Sequence, residues 1–351
     1  MAKKQQAGAE LGLQALKRDL KQHTLQKGYI FYGEEAYLRD TYLTQLKKAV
    51  LEGPAADLNY HRFNRETFSW QAIADAVEAI PMMAERTLVQ VDDVSLYKAA
   101  ESDQEILKAI LSDLPEHCCL VFVYGDGGFD RDKRKKSLDQ LIEQKLCLVE
   151  FTKQSPRDLC AWIARHVKAG GKEISGECCQ LLCFRTGGVM ATLASEIPKL
   201  VSYASGPEIT RADIEATVEP VLDAVVYDIT NAIADKNFEL AMEKLHEVLR
   251  MQEEPIAILA AIGSNLRRTY CARALIDQGK GVSELMQLTG LRSEYAARKT
   301  LEAARGISVR FCEAALVGCM QTDLGLKNSV DDSQRLLELL IMSLAQEARR
   351  D

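Results

Sequence analysis

The sequence lacks long apolar segments, a secretory signal and paired cysteines. Its longest apolar runs, such as residues 118–124, are far shorter than the about 20 residues that span a bilayer. Residues 1–10 are polar and hold no apolar signal core. None of the ten cysteines forms a C-x-x-C pair, which indicates small buried hydrophobic residues rather than disulfides or zinc ligands. We therefore expect a soluble cytoplasmic protein with no membrane segment and no bound metal.

The sequence also contains few prolines and carries no net positive charge. There are 8 prolines in 351 residues, and 47% of the residues are apolar and 27% charged, which is typical of a folded globular chain. The length predicts two or three domains. The net charge of -7 repels a phosphate backbone, so contact with nucleic acid requires a local basic patch or the field of a partner.

A phosphate-binding loop is missing from the place where a nucleotide-binding α/β domain carries it. That place is the turn after the first strand, here Gly33, Glu34 and Glu35. A phosphate loop needs G-x-x-x-x-G-K-[ST], whose backbone amides and lysine surround the anion. Two carboxylates at the start of a helix complement its dipole and repel phosphate. We therefore predict that this degenerate turn binds no nucleotide and that the chain does not hydrolyse ATP.

Signatures of other catalytic classes are absent as well. The sequence contains no G-x-S-x-G, no H-E-x-x-H and no paired acidic metal motif. Its five histidines are scattered along the chain, as is typical of surface or packing residues. We predict no catalytic residue, no cofactor and a function that depends on contact with other macromolecules.

The first 153 residues alternate strand and helix patterns. Strand candidates are residues 29–32, 58–63, 87–91, 119–124 and 147–151, and helix candidates are residues 38–51, 70–80 and 105–114. Buried apolar strands that alternate with helices predict a parallel α/β sheet.

Beyond residue 153 we predict helices and no further strands. Helix candidates are residues 156–169, 175–185 and 189–204, followed by a short helix capped by Thr210. Pro198 predicts a kink or a break in the third of these helices. A boundary near residues 219–220 gives three domains: 1–153 α/β, 154–219 small helical and 220–351 all helical.

Six segments, in order along the chain, resemble the delta subunit of the bacterial DNA polymerase III clamp loader. The first contains Gly33-Glu34-Glu35-Ala36-Tyr37-Leu38, which is similar to the family pattern G-E-[ED]-x-Y-L. The segments are residues 29–38, 80–89, 130–136 and 188–200, the start and end of a collar helix at 253–259 and 265–268, and the final helices at 323–327 and 336–344. The likeness covers about residues 18 to 346 in collinear order.

The resemblance implies a degenerate AAA+-like sheet without a phosphate loop, a small lid domain and a helical collar for oligomerisation. It implies a hetero-pentamer with ATP-binding gamma or tau subunits and a delta-prime subunit. It also implies that this chain binds the sliding clamp (beta) and opens its ring for loading onto primed DNA during replication. The chain itself would be non-catalytic, although it would belong to a DNA-directed DNA polymerase holoenzyme.

The same resemblance selects Pro81, Met82 and Met83 as the clamp-binding residues. The preceding helix has an apolar stripe that we expect to face the sheet, and Pro81 is expected to end that helix. The stripe consists of Trp70, Ile73, Val77 and Ile80. Met82 and Met83 would then project into a pocket of the partner. The alternative from spacing alone is that both methionines fill the α/β core.

One basic run and one single lysine bear on contact with nucleic acid. Residues 131–136 form the densest basic run, which we interpret as a solvated turn. Lys327 lies in a stretch, residues 325–329, that we expect to be a loop. The family's collar approaches the template strand near this point, which makes Lys327 a candidate DNA contact.

A different function is suggested by residues 282–300, whose pattern is typical of a helix-turn-helix. Gly290 would lie at the turn, with Arg298 and Lys299 on the second helix. Taken alone, this pattern predicts a sequence-specific DNA-binding protein. The negative net charge and the absence of a basic flank favour the clamp-loader hypothesis instead.

Overall fold

The computed structural model describes residues 2–53, 55–125, 128–291, 293–328 and 332–350, with side chains from residue 12 onward. The chain forms two compact units, Met1–Gln154 and Ser155–Asp351. Their boundary lies next to the predicted end of the α/β domain at residue 153. The further division at residue 219 stays a prediction. No helix in the described residues is long and apolar enough to cross a bilayer.

The first unit contains a five-stranded parallel sheet with the strand order β2-β3-β4-β1-β5. Its strands are β1 Gly28–Tyr32, β2 Tyr60–Phe63, β3 Thr87–Asp92, β4 Cys118–Val123 and β5 Cys147–Glu150. All neighbouring strands pair in parallel. Every residue of β4 is buried, as expected for a central strand covered on both faces. The predicted parallel α/β fold is confirmed.

Helices cover both faces of this sheet. They are α1 Ala2–Gln22, α2 Ala36–Val50, α3 Trp70–Glu78, α4 Glu101–Ser112 and α5 Lys136–Lys145. Because successive strand residues point to opposite faces, Ile30 packs in the core formed with α3, α4 and α5. Tyr29 and Phe31 pack in the core formed with α1 and α2. Helix α1 was not predicted, because the first ten residues carry almost no apolar stripe.

The second unit is mostly helical. Its helices are α6 Pro156–Ala169, α7 Gly176–Arg185, α8 Met190–Tyr203, α9 Arg211–Thr217, α10 Leu222–Ala234, α11 Phe238–Arg250, α12 Pro255–Asp277, α13 Val282–Thr289, α14 Glu294–Ala304, α15 Val309–Asn328 and α16 Ser333–Ala348. Two short strands, β6 Glu173–Ile174 and β7 Glu208–Ile209, pair in parallel. The prediction of no strand beyond residue 153 is therefore wrong, because strands this short leave no alternating pattern in the sequence.

Pro198 lies inside α8, which continues from Met190 to Tyr203. The predicted break is wrong, and the predicted kink stays a prediction. Ile197 and Leu200 are buried on either side, whereas Pro198 itself is exposed. On an exposed face, water can satisfy the carbonyl group that loses its intrahelical partner.

All ten cysteines lie within the described residues, and none of them forms a disulfide there. Half are buried and half are partly buried, so the prediction of small buried hydrophobic residues is right for five of them. Burial raises the pKa of the Cys119 thiol to about 12, which keeps it neutral. Within the described residues no cluster of histidine, cysteine or acidic side chains could hold a metal ion.

Candidate protein-binding site

Helix α3 sets the position of the predicted clamp-binding residues. Ser69 caps it by accepting a hydrogen bond from the Ala72 amide. Trp70, Ile73 and Val77 are buried in the core, as predicted.

The helix ends earlier than predicted, at Glu78. Ala79 has ψ 127 and leaves the helical conformation, and Pro81 disfavours that conformation at the residue directly before it, Ile80. Ile80 therefore does not join the buried stripe. It is 83% exposed, so the prediction that Ile80 faces the sheet is wrong.

Residues 80–83, which we call the methionine tip, present three exposed apolar side chains. Met82 is 58% and Met83 85% exposed, whereas Pro81 is partly buried. The alternative that both methionines fill the α/β core is wrong. Single exposed apolar residues are common, but three within four residues form a local apolar surface.

The backbone of the tip is held by Asn59, a residue that the sequence analysis did not single out. Asn59 ends a short 3₁₀ helix, Ala56–Asn59, directly before β2. Its side chain accepts a hydrogen bond from the Met82 amide and donates one to the Met82 carbonyl oxygen. No local sequence pattern identifies this partner, because the two residues are 23 positions apart.

The turn at Gly33 packs directly against the backbone of Phe151. Gly33 has φ +123, and a Cβ atom there would lie 2.3 Å from the Phe151 carbonyl oxygen. The Glu35 amide donates to the same carbonyl oxygen at 2.9 Å. Glu34 pairs with Lys153 at 3.6 Å. An amide that a phosphate loop would offer to an anion is thus bonded within the protein.

Two charged residues follow this turn, of which Glu35 is partly buried and Arg39 is buried. Burial raises the pKa of Glu35, and the Tyr37 amide and Lys153 oppose that rise. Arg39, buried in the first turn of α2, donates from Nη1 to the Tyr124 carbonyl oxygen at 3.0 Å. The sequence analysis did not single out Arg39, which joins α2 to the end of β4.

The basic run at residues 131–136 is only partly solvated. Arg131 is bonded to Asp139 and Glu143, and the Lys135 ammonium donates to the Tyr97 carbonyl oxygen at 2.6 Å. The interpretation as a solvated turn is therefore wrong for Arg131 and Lys135. The remaining basic residues, Lys133, Arg134 and Lys136, are exposed.

Lys327 lies in the last turn of α15 and not in a loop. The prediction of a loop at residues 325–328 is wrong, because the helix continues through Gly325. Residue 329 lies outside the described residues. The Lys327 ammonium pairs with Asp323, one turn earlier, at 2.8 Å, and remains half-exposed. A cation at this helix end also complements the helix dipole.

The predicted helix pair at residues 282–300 is present as α13 and α14. Gly290 ends α13 with φ +71, in the left-handed region, as a helix end with glycine favours. Residue 292 lies outside the described residues. Arg298 contacts Glu294 and Gln180, and Lys299 pairs with Glu302. Both cations therefore form surface ion pairs with acids about one turn away on α14.

Comparison with known proteins agrees with this architecture. A family model described as DNA polymerase III, delta subunit, matches residues 29–152, and one for the C-terminal domain of that subunit matches residues 223–344. DNA polymerase III subunit delta of Bacillus subtilis (strain 168) is 25% identical over 334 residues, which cover 93% of this chain and 95% of the relative. The probable delta subunit of Aquifex aeolicus (strain VF5) is 19% identical over 326 residues, or 91% of each chain.

A solved structure shares the fold over nearly its whole length. The DNA clamp loader delta protein of Bacillus subtilis matches with a TM-score of 0.57 at 21% sequence identity, covering 95% of this chain and 99% of that chain. The methionine tip and the Gly33 turn lie within the first family match, and α10 to α16 make up almost all of the second. The resemblance noted in the sequence is confirmed: the chain belongs to the DNA polymerase III delta subunit family.

Proposed function

We propose that this chain binds the sliding clamp through its methionine tip and holds the clamp ring open for loading onto primed DNA. The observation that carries this proposal is the exposure of Ile80, Met82 and Met83 on one short, anchored segment. Burying the two methionines in a pocket would contribute about 3 to 6 kcal/mol before the costs of association. Methionine side chains also adapt to pockets of irregular shape.

The surroundings of the tip suit a protein partner. Leu58, next to Asn59, is also exposed, and it extends the apolar surface. The exposed acids Glu78 and Glu85 flank the tip in sequence, and exposed Asp57 lies two residues before Asn59. An apolar centre with a charged rim is the usual anatomy of a protein interface.

The role we propose for this subunit is mechanical. The Gly33 turn supports it, because the Glu35 amide is bonded to Phe151 and no phosphate-loop lysine follows. ATP would be bound by the gamma or tau subunits of the complex, which also contains delta-prime. Any polymerase classification would then come from membership of the holoenzyme and not from a site in this chain.

The contact with the other clamp-loader subunits is proposed to use an exposed stripe on α15. Val317, Met320 and Leu324 are exposed and follow each other at intervals of three and four residues, so they share one helix face. Leu339 and Met342 are exposed on α16. Apolar faces of this kind on neighbouring helices favour oligomerisation.

Contact with primer-template DNA is proposed to involve Lys327. Its ammonium group is half-exposed at the end of α15 and pairs with Asp323. An exposed ion pair of this kind contributes little stability, so a phosphate can replace the carboxylate at small cost.

The proposal is tested by binding the full chain to its own sliding clamp in a surface-based affinity assay. The double substitution of Met82→Ala and Met83→Ala should reduce clamp affinity by about a hundredfold or more. The matched control is Met320→Ala with Met342→Ala, which removes two methionines of similar exposure from the second unit. Clamp affinity that survives in the first variant would refute the tip as the binding site.

A further inference from the structure

We infer that Asn59 is a positioning residue, which holds the methionine tip in the shape that the clamp recognises. This inference rests on the proposed function. Asn59 is 1% exposed, and its Oδ1 accepts a hydrogen bond from the Met82 amide at 2.7 Å. Its Nδ2 donates to the Met82 carbonyl oxygen at 2.9 Å and to the Ala55 carbonyl oxygen at 2.9 Å. One buried side chain therefore bonds both polar backbone groups of Met82.

The tip needs such a partner because it belongs to no helix or strand. Residues 79–86 connect α3 to β3, and their backbone groups have no ladder of hydrogen bonds. Met83 has φ +52, in the left-handed region that costs a residue with a side chain about 1 kcal/mol. Such a conformation persists only where the surrounding structure fixes it.

Asn59 connects the tip to the sheet. It directly precedes β2, whose first residue Tyr60 pairs with Leu88 in β3. The 3₁₀ helix that ends at Asn59 is tied to the same side chain through Ala55. The position of Met82 is thereby set by the register of β2 against β3. Exposed apolar side chains on an unanchored segment would instead fold back onto the protein surface, because that removes them from water.

The chemistry at this position is specific to an asparagine. The bonds require one acceptor and two donors on a short planar group, which an amide supplies. An aspartate keeps the acceptor but places a negative charge against two carbonyl oxygens. An alanine leaves both Met82 backbone groups without their partner.

The first test measures clamp affinity and thermal unfolding of the Asn59→Ala chain. We expect clamp affinity to fall by about tenfold or more, since two backbone bonds that fix the tip are lost. The matched control is Tyr97→Phe, which removes a different buried hydrogen bond of the same unit, from the Tyr97 hydroxyl to Asp139. The control should lose thermal stability and keep clamp affinity. Equal affinities in Asn59→Ala and the wild-type chain would overturn the inference.

The second test uses Asn59→Asp and varies the pH, so that it remains informative if the alanine variant folds poorly. Burial and two facing carbonyl oxygens raise the pKa of the introduced carboxyl above its ordinary value of about 3.9. When protonated, this group again offers one donor and one acceptor. We expect the clamp affinity of Asn59→Asp to rise toward that of the wild type as the pH falls from about 8 to about 5. If Asn59 only filled space in the folded chain, lowering the pH would not restore the clamp affinity of Asn59→Asp.

Two comparisons separate this inference from the proposed function. The wild-type chain, measured with the same clamp over the same pH range, corrects for any change in the clamp itself. If Met82→Ala with Met83→Ala loses affinity while both Asn59 variants bind like the wild type at every pH, the positioning role is refuted and the tip remains the binding site. If the methionine double variant also binds like the wild type, the proposed function fails.

Discussion

Arg131 and Asp139 are joined by two parallel hydrogen bonds, from Nε to Oδ1 at 2.6 Å and from Nη2 to Oδ2 at 2.8 Å. The Tyr97 hydroxyl donates to the same Oδ1 at 2.8 Å, and Glu143 accepts from Arg131 at 2.5 Å. This network attaches the segment after β4 to α5. It also neutralises the charge of Arg131, which removes this residue of the basic run as a candidate for DNA contact.

We predict that Asp139→Asn lowers the free energy of unfolding by about 2 kcal/mol at neutral pH, because it breaks a largely buried two-point ion pair. Arg131 lowers the pKa of Asp139. The contribution is therefore fully present above the unfolded pKa of about 3.9 and is lost as the pH falls through the lower folded pKa. Urea unfolding of both chains across this range measures the difference. Asp132→Asn, which removes the acid of an exposed ion pair with Arg134, should change the free energy of unfolding little. An equal effect of both substitutions would contradict this account.

We predict that Gly33→Ala destabilises the first unit by about 3 kcal/mol, because it combines an unfavourable φ with a clash against Phe151. Gly53→Ala is the matched control. Gly53 has φ +91, but among the described residues other than its chain neighbours nothing lies within 4 Å of the added methyl position, so the strain of φ acts alone there, at about 1 kcal/mol. Thermal unfolding compares the two variants. A smaller loss of stability in Gly33→Ala than in Gly53→Ala would disprove the clash.

Removing the carboxylates of the Gly33 turn should not create nucleotide binding. In Glu34→Ala with Glu35→Ala, the residue 35 amide still donates to the Phe151 carbonyl oxygen, and no phosphate-loop lysine is present. Calorimetric titration with Mg-ATP should give no binding heat for this variant or for the wild-type chain. Tight, magnesium-dependent binding by either would show that this turn is still a nucleotide site.

The stripe on α15 should be needed for assembly and not for clamp binding. We expect Met320→Glu with Leu324→Glu to prevent complex formation with the other clamp-loader subunits, because two charges would be buried at the interface. Light scattering of the mixed subunits measures assembly. Leu240→Glu, at an exposed leucine of α11, is the control and should assemble normally. A complex of full size with the α15 variant would rule out this surface.

Lys327→Ala should weaken binding of the assembled clamp loader to primed DNA regardless of sequence. The slope of log affinity against log salt should fall by about one, as expected when one phosphate contact is lost. Lys299→Ala, which removes a lysine paired with Glu302 on α14, is the control. Identical salt slopes for the Lys327 variant and the wild-type complex would remove this residue from the interface.

Much of the first unit was predictable from the sequence because its strands are buried on both faces. Continuous apolar runs such as residues 119–124 identify parallel strands, and the described strand β4 agrees with that run within one residue at each end. The degenerate turn was also predictable, since a missing glycine and lysine in a phosphate loop are visible in the sequence itself.

The tip and the second unit each contain a feature that the sequence analysis predicted wrongly. The apolar spacing of α3 predicted that Ile80 continues the buried stripe, but the helix ends at Glu78 and the spacing then no longer applies. The glycine at position 325 suggested a loop, but α15 continues to Asn328. Helix packing outweighs the modest cost of one glycine.

The sequence by itself determined the parallel α/β class of the first unit, the mostly helical class of the second, the absence of a phosphate loop and the family. The fold classes and the missing loop follow from local composition and periodicity, which are properties of neighbouring residues, and the family follows from the resemblance of segments in collinear order. Only the tertiary structure decided that the methionine tip is exposed and that Asn59 holds it. A hydrogen bond between residues 23 positions apart exists only after the sheet has brought them together, and no local pattern encodes it.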